Sequence, residues 1–160
     1  MLVVSDTSPL CYLLLIDQID LLPKIYGRVV IPQAVRDELA DERSPQLVKN
    51  WIEQPPDWLE IQVVNAQPDA ELEELDLGEC EAILLVEYLG ADLIVLDERL
   101  ARQIARSRNL RIIGLLGILE TAANLGLVDL PAAIERLQQT TFRASSRLIQ
   151  TLLERYSSNE

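Results

Sequence analysis

The sequence contains no histidine, only two cysteines and few aromatic residues. Without imidazole ligands, the thiols of Cys11 and Cys80 cannot complete a tetrahedral zinc site. Each cysteine falls in an apolar helical pattern, so we interpret both as reduced packing residues, which is typical of a cytoplasmic protein.

Long hydrophobic runs are also missing. The longest apolar runs are far shorter than the roughly 20 residues of a membrane span, and the opening MLVVSDTS has no basic segment before its first charge at Asp6. We therefore expect a soluble intracellular protein with no membrane segment. With 160 residues, 49% of them apolar, the chain has the size of one domain and enough apolar content for a core.

Basic residues are scarce. The chain has 14 basic and 26 acidic residues, which gives a net charge of −12. Phosphate affinity depends mainly on Lys and Arg, so this charge argues against a nucleic-acid binder. The distribution weakens that objection, because residues 99–160 carry nine basic side chains, all arginine, against five acidic ones. Arginine binds phosphate in bidentate fashion, and a bound divalent cation would cancel part of the acidic charge. Most of the carboxylates could equally serve solubility alone.

Short β-branched or leucine-rich runs alternate with helical stretches, which predicts a parallel sheet covered by helices on both faces. We predict strands at Leu2–Ser5, Arg28–Ile31, Leu59–Val64, Leu93–Leu96 and Arg111–Ile113. We predict helices at about 9–16, 20–26, 33–42, 45–53, 78–89, 98–107, 115–125, 131–138 and 144–156. The predicted fold class is a single-domain, three-layer α/β/α, Rossmann-like fold over residues 1–139. A helical tail over residues 140–160 would pack on the core or on a second subunit.

Two aspartates follow predicted strands at the carboxyl edge of this sheet, where ligands usually bind. Asp6 follows the first strand, and Ser8 and Pro9 already suit the cap and first turn of the next helix, which leaves the Asp6 carboxylate for another role. Asp97 follows the fourth strand. Its structural alternative is to cap the helix that begins at Glu98.

Three glutamates are further candidates. Glu38 lies on a helical face next to apolar residues, so it is either a solvated boundary residue or points into a polar pocket. Glu79 and Glu81 lie in the first turn of a helix, where the helix dipole favours acids by roughly 0.3–1 kcal/mol without any function. Carboxylates gathered in one place repel one another unless a cation compensates. The combined set of Asp6, Glu38, Glu79, Glu81 and Asp97 therefore indicates a site for Mg²⁺ or Mn²⁺, which prefer oxygen ligands.

Four segments in order carry a resemblance to a known family: VVSDTSPL, IPQAVRDEL, LGECEAILLV and LIVLDERLARQIARSRNLRIIGLLGILETAANLGLV. Together, from residue 3 to about 128, they resemble the PIN-domain superfamily, and within it the small prokaryotic PIN-like proteins akin to VapC toxins. The resemblance implies metal ligands at Asp6, Glu38 and Asp97, and at either Glu79 or Glu81. The chain departs from the branch at Glu98, where a second aspartate is usual, and at Leu115, where a threonine is frequent.

The resemblance further implies a Mg²⁺- or Mn²⁺-dependent ribonuclease that hydrolyses phosphodiester bonds of an RNA substrate. Thr7 or Ser8 could orient a ligand or a water, while Arg99, Arg102 and Arg106 either hold the substrate backbone or form an ordinary solvated helix face. A homodimer and an inhibitory antitoxin protein are also implied.

Three other classes of protein share part of this pattern. A catalytically silent PIN-like module that binds nucleic acid or a protein is the main alternative. A phosphatase of the haloacid dehalogenase type needs an aspartate two residues after Asp6, where Ser8 stands. A receiver domain needs a partner lysine after a late strand, and the sequence offers no convincing one.

Overall fold

The computed structural model describes residues 1–158 and contains one five-stranded sheet in the order β3-β2-β1-β4-β5, with every pair parallel. The strands are β1 (Val3–Ser5), β2 (Val29–Pro32), β3 (Leu59–Gln62), β4 (Leu93–Val95) and β5 (Ile112–Ile113). In the sheet, Val3 of β1 pairs with Val29 on one side and with Leu93 on the other. The predicted parallel sheet is confirmed.

The helices between and after the strands are α1 (Thr7–Leu15), α2 (Leu21–Tyr26), α3 (Gln33–Leu39), α4 (Gln46–Glu53), α5 (Leu77–Leu89), α6 (Arg99–Ser107), α7 (Leu115–Asn124), α8 (Leu130–Gln138) and α9 (Ser146–Ser158). A short 3-10 helix at Leu72–Glu74 was not predicted. Gly90 at the end of α5 and Asn109 after α6 have left-handed φ of 63° and 62°.

Successive residues of β1 enter two separate cores because side chains of a strand alternate between the faces of its sheet. Val3 belongs to a buried cluster built with α1, α2, α3, α4, α7 and α8, whereas Val4 belongs to one built with α5 and α6. The sheet is thus covered by helices on both faces, and the three-layer α/β/α class is confirmed.

Several element ends differ from their predicted positions. Helix α1 begins at Thr7, so its cap position is Asp6 and not Ser8, yet the Asp6 side chain makes no capping hydrogen bond. Helix α3 ends at Leu39 instead of residue 42, where the hydroxyl of Ser44 donates to the Glu38 carbonyl at 2.8 Å and the chain turns. Strand β3 stops at Gln62 instead of residue 64.

Helix α9 packs on α7 and α8 and buries Leu152. The Arg155 guanidinium joins it to α7 through the Glu120 carboxylate, with Nε to Oε2 at 2.9 Å. Of the tail predicted over residues 140–160, residues 159 and 160 lie outside the described residues. Within residues 1–158, no helix combines the length and apolar character needed to cross a membrane.

Candidate metal centre

Three acids meet at the carboxyl edge of the sheet. The Asp6 N–H donates to the Val95 carbonyl at 3.0 Å, which places the residue after β1 beside the end of β4. Glu38 comes from the last turn of α3, and Asp76 is the cap residue of α5. Carboxylate oxygens of Asp6, Glu38 and Asp76 all lie within 4.8 Å of one another. The topology therefore brings residues far apart in the sequence to one point.

Two donors fix the Glu38 carboxylate in this group. The Thr7 hydroxyl donates to Oε1 at 2.6 Å, and the Gly78 N–H donates to Oε2 at 2.9 Å. A Cβ at position 78 would lie 2.5 Å from each of the two carboxylate oxygens, so a larger residue there would displace the Glu38 carboxylate. The starts of α1 and α5 thus hold the end of α3 through Thr7 and Gly78.

The third acid, Asp76, was missed in the sequence analysis. It forms a capping box with Glu79: Asp76 Oδ1 accepts from the Glu79 N–H at 2.9 Å, and Glu79 Oε1 accepts from the Asp76 N–H at 3.4 Å. The signal was present as an aspartate followed three residues later by a glutamate before an apolar run. One pair of residues therefore starts α5 and also adds charge beside Asp6.

Glu79 and Glu81 have different surroundings. Glu79 is only 7% exposed and faces the acid group. The Glu81 carboxylate instead accepts from the Ala34 N–H at 3.1 Å and so caps the first turn of α3. Of these two sequence candidates, Glu79 is the one whose charge acts on Asp6.

Asp97 follows β4, the strand that pairs with β1, but it lies outside the acid group. Its Oδ1 accepts from the Leu115 N–H at 3.0 Å, while its buried Oδ2 has no hydrogen-bond partner. A Cβ on Gly114 would lie 2.5 Å from Oδ1, so the close approach needs glycine. The capping alternative for Asp97 is wrong, because Glu98 caps α6 by accepting from the N–H groups of residues 100 and 101 at 3.1 and 2.7 Å.

Burial raises the pKa values of these carboxyl groups, and mutual repulsion adds to the effect for Asp6, Glu38 and Glu79. Burial raises the pKa of Asp6 well above its ordinary value, and the charges of Glu79, Asp76 and Glu38 raise it further. Burial raises the pKa of Glu38, and burial followed by the charge of Asp76 raises the pKa of Glu79 to about 7. For Asp97, burial raises the pKa while the Leu115 N–H and the charge of Arg102 oppose it.

The three arginines of α6 do not share one environment. Arg99 and Arg106 are exposed, whereas Arg102 is half-buried and its Nη1 donates to the Leu96 carbonyl at 2.9 Å. Arg102 is therefore the one whose guanidinium lies beside Asp97, and its charge acts on that carboxyl.

The acid group fits a divalent cation. Its donors are all carboxylate oxygens, the ligands that Mg²⁺, Mn²⁺ and Ca²⁺ accept. Asp6 Oδ1 is buried without any hydrogen-bond partner, and a buried unpaired polar atom is costly unless something compensates it. A cation would also remove the repulsion that raises the pKa values of Asp6, Glu38 and Glu79. Asp6, Glu38 and Asp76 could therefore hold a metal ion.

Sheet, helices and acid group together define an α/β protein with a carboxylate site at the carboxyl edge of a parallel sheet. A family model described as a PIN domain matches residues 2–158. The chain belongs to the PIN-domain family, whose members are in general metal-dependent nucleases. No curated protein matched the chain. No solved structure matched it either.

Proposed function

We propose that the protein is a Mg²⁺- or Mn²⁺-dependent endoribonuclease of the VapC-like toxin type. The observation that carries the proposal is the buried, unpartnered Asp6 Oδ1 within 4.8 Å of carboxylate oxygens from Glu38 and Asp76. Asp76 also caps α5 and Glu38 accepts from Thr7 and Gly78, but no hydrogen bond compensates the burial of Asp6 Oδ1. Membership of the PIN-domain family supports a nuclease, and the resemblance to toxin-type members supports RNA as the substrate.

We assign the ligands from this geometry. Asp6, Glu38 and Asp76 hold the ion, and Thr7 keeps Glu38 turned toward it. Glu79 adds negative charge from the first turn of α5. When bound, a divalent ion lowers the pKa of a water and neutralises charge on a phosphate.

Asp97 and Glu81 have secondary parts in the proposal. Asp97 supplies a carboxylate oxygen from the end of β4, on the side where Arg102 is placed to contact an RNA phosphate. Glu81 remains a candidate ligand from the sequence, but its bond to the Ala34 N–H favours Glu79 in that role.

The test combines calorimetry with Mn²⁺ and cleavage of a pool of structured RNAs. Asp6→Asn should abolish metal-dependent cleavage and weaken Mn²⁺ binding at least about tenfold, because it removes a charged ligand. Asp37→Asn is the matched control, since it makes the same substitution at an exposed residue of α3. If the native protein neither binds Mn²⁺ nor cuts RNA, the nuclease proposal is abandoned in favour of a silent nucleic-acid- or protein-binding module.

We also propose that the protein works in the cytoplasm as a homodimer held inactive by an antitoxin protein. The resemblance supports the homodimer and the antitoxin, and the free thiols of Cys11 and Cys80 support the cytoplasm. The dimer is also supported by apolar side chains left exposed beside β3, Val63 at 67% and Tyr88 at 79%. Sedimentation of the purified chain tests the dimer. A monomer at micromolar concentration would contradict it.

A further inference from the structure

One hollow contains Asp6 and Thr141, and a separate cavity lies beside the tail segment that follows α8. This cavity has a volume of about 530 Å³ and begins at Asp97. Its walls come from β5, α6, α7 and the tail, and we call it the tail cavity. Its size falls within the range of roughly 300–1,000 Å³ that is usual for small-molecule sites, so one nucleotide can enter it.

The residues Thr141–Arg143 separate the tail cavity from the acid group. Thr141 lies in the same hollow as Asp6, whereas Phe142 and Arg143 line the tail cavity. The Tyr12 hydroxyl is 2.8 Å from the Thr141 hydroxyl, and the ring of Tyr12 meets the Phe142 ring edge to face at 5.3 Å. Tyr12 belongs to helix α1, which begins at the acid group. Its contacts therefore hold Thr141–Arg143 between the acid group and the tail cavity.

The tail cavity is cationic where it is not apolar. Its acids are Asp97, at the end near the acid group, and Glu120, which is ion-paired with Arg155. Arg102 and Arg143 instead donate to neutral backbone carbonyls, at 2.9 Å and 3.3 Å. The Arg143 charge is therefore available to an anion although the chain as a whole is acidic, whereas the neighbouring Asp97 carboxyl offsets part of the Arg102 charge.

The apolar part of the wall matches the face of a base. Ile113, Leu116 and the partly buried ring of Phe142 line the cavity. Bases of single-stranded nucleic acid stack on aromatic side chains while arginines contact the phosphates. A base that is paired and stacked in a duplex could not enter such a cavity.

We propose that the tail cavity binds one nucleotide next to the scissile phosphate of a single-stranded RNA, with its phosphate on Arg102 and Arg143 and its base against Phe142. The inference rests on the proposed nuclease function and adds to it a substrate subsite built by the tail. The tail predicted over residues 140–160 then forms part of the substrate site of its own chain.

Binding is measured by fluorescence anisotropy with labelled single-stranded RNA of ten nucleotides in Mg²⁺ buffer. Every protein carries Asp6→Asn so that the strand stays intact. Phe142→Leu keeps the apolar volume and removes the ring face, and should weaken binding about 5- to 150-fold, the range for loss of one stacked base. Arg143→Gln should weaken binding and lower the slope of log affinity against log salt by about 0.7, the value for one phosphate contact with a single strand.

Arg147→Gln is the matched control, because Arg147 is also an exposed tail arginine but lies outside the cavity wall. It should change neither the affinity beyond about twofold nor the salt slope. Equal losses for Arg143→Gln and Arg147→Gln would show general attraction by charge and overturn the proposal. Full affinity in Phe142→Leu and Arg143→Gln would overturn it as well.

A DNA strand of the same sequence tests whether the cavity binds RNA alone or any single strand with a phosphate and a base. Losses in the same two variants on DNA would support the cavity, which contacts a phosphate and a base face that DNA also has. The two proposals fail in different ways. Metal-dependent cleavage by the native protein without the variant pattern overturns only the tail cavity, whereas the variant pattern without any cleavage supports the cavity and contradicts the nuclease.

Discussion

Replacing Glu79 by glutamine should stabilise the metal-free protein at neutral and higher pH. Glutamine has nearly the same shape and its carbonyl can still accept from the Asp76 N–H, so the capping box survives. It removes the negative charge that raises the pKa of Asp6. The substitution therefore tests the cost of burying the Glu79 charge and of its repulsion with Asp76, with little change of packing.

The magnitude follows from the pKa of Glu79, which rises from an ordinary 4.5 to about 7 in the folded protein. Because the folded state holds this proton more tightly than the unfolded state, stability is fully present below pH 4.5 and is lost as the pH rises to 7. The whole change corresponds to about 3 kcal/mol, and partial solvent screening reduces the expected value to about 2 kcal/mol. Glu79→Gln should thus equal the native protein near pH 4 and exceed it by that amount at pH 8.

Urea unfolding in EDTA, followed by the fluorescence of Trp51 and Trp58, measures the difference at each pH. Glu135→Gln serves as the control, because it removes an exposed charge of α8 far from the acid group. An equal or lower stability of Glu79→Gln at pH 8 would refute the reasoning. Addition of Mn²⁺ should then stabilise the native protein more than the variant.

Three further substitutions probe the surroundings of the acid group. Gly78→Ala should leave the fold intact but displace the Glu38 carboxylate, and calorimetry should show Mn²⁺ affinity lower by about 10- to 100-fold. Glu81→Gln should change Mn²⁺ affinity less than about twofold, whereas a loss like that of Gly78→Ala would make it a ligand. Arg108→Gln removes ion pairs to three acids and should speed hydrogen exchange across residues 69–76, since these contacts hold the segment before α5. Unchanged exchange there would contradict that role.

The alternation of strands and helices could be predicted from the sequence because the strands are short and mostly apolar, while β3 alternates apolar and polar residues. The ends of the helices and strands were harder to predict from the sequence. Helix α3 stops early because the Ser44 hydroxyl takes the Glu38 carbonyl, a contact made across six residues. The 3-10 helix at Leu72–Glu74 lies in an acidic stretch where only the buried Leu72 marks structure.

Part of the candidate site could also be predicted from the order of strands and helices. Asp6 and Asp97 follow strands whose order places them side by side, so their approach follows from topology. The separate surroundings of Glu79 and Glu81 depend on which way each points from the first turn of α5, and that is decided by the packing of α5 on α3. Asp76 was hidden because helix capping is a sufficient reason for an aspartate at that position.

The raised pKa values of the acid group have a consequence for metal exchange. Since burial raises the pKa values of Asp6, Glu38 and Glu79, protons compete with an incoming cation for these carboxylates. Uptake of an ion should release protons, so the calorimetric enthalpy will depend on the ionisation enthalpy of the buffer. Apparent affinity should also rise with pH up to about 7, which would make the protein least able to acquire its metal in an acidified cell.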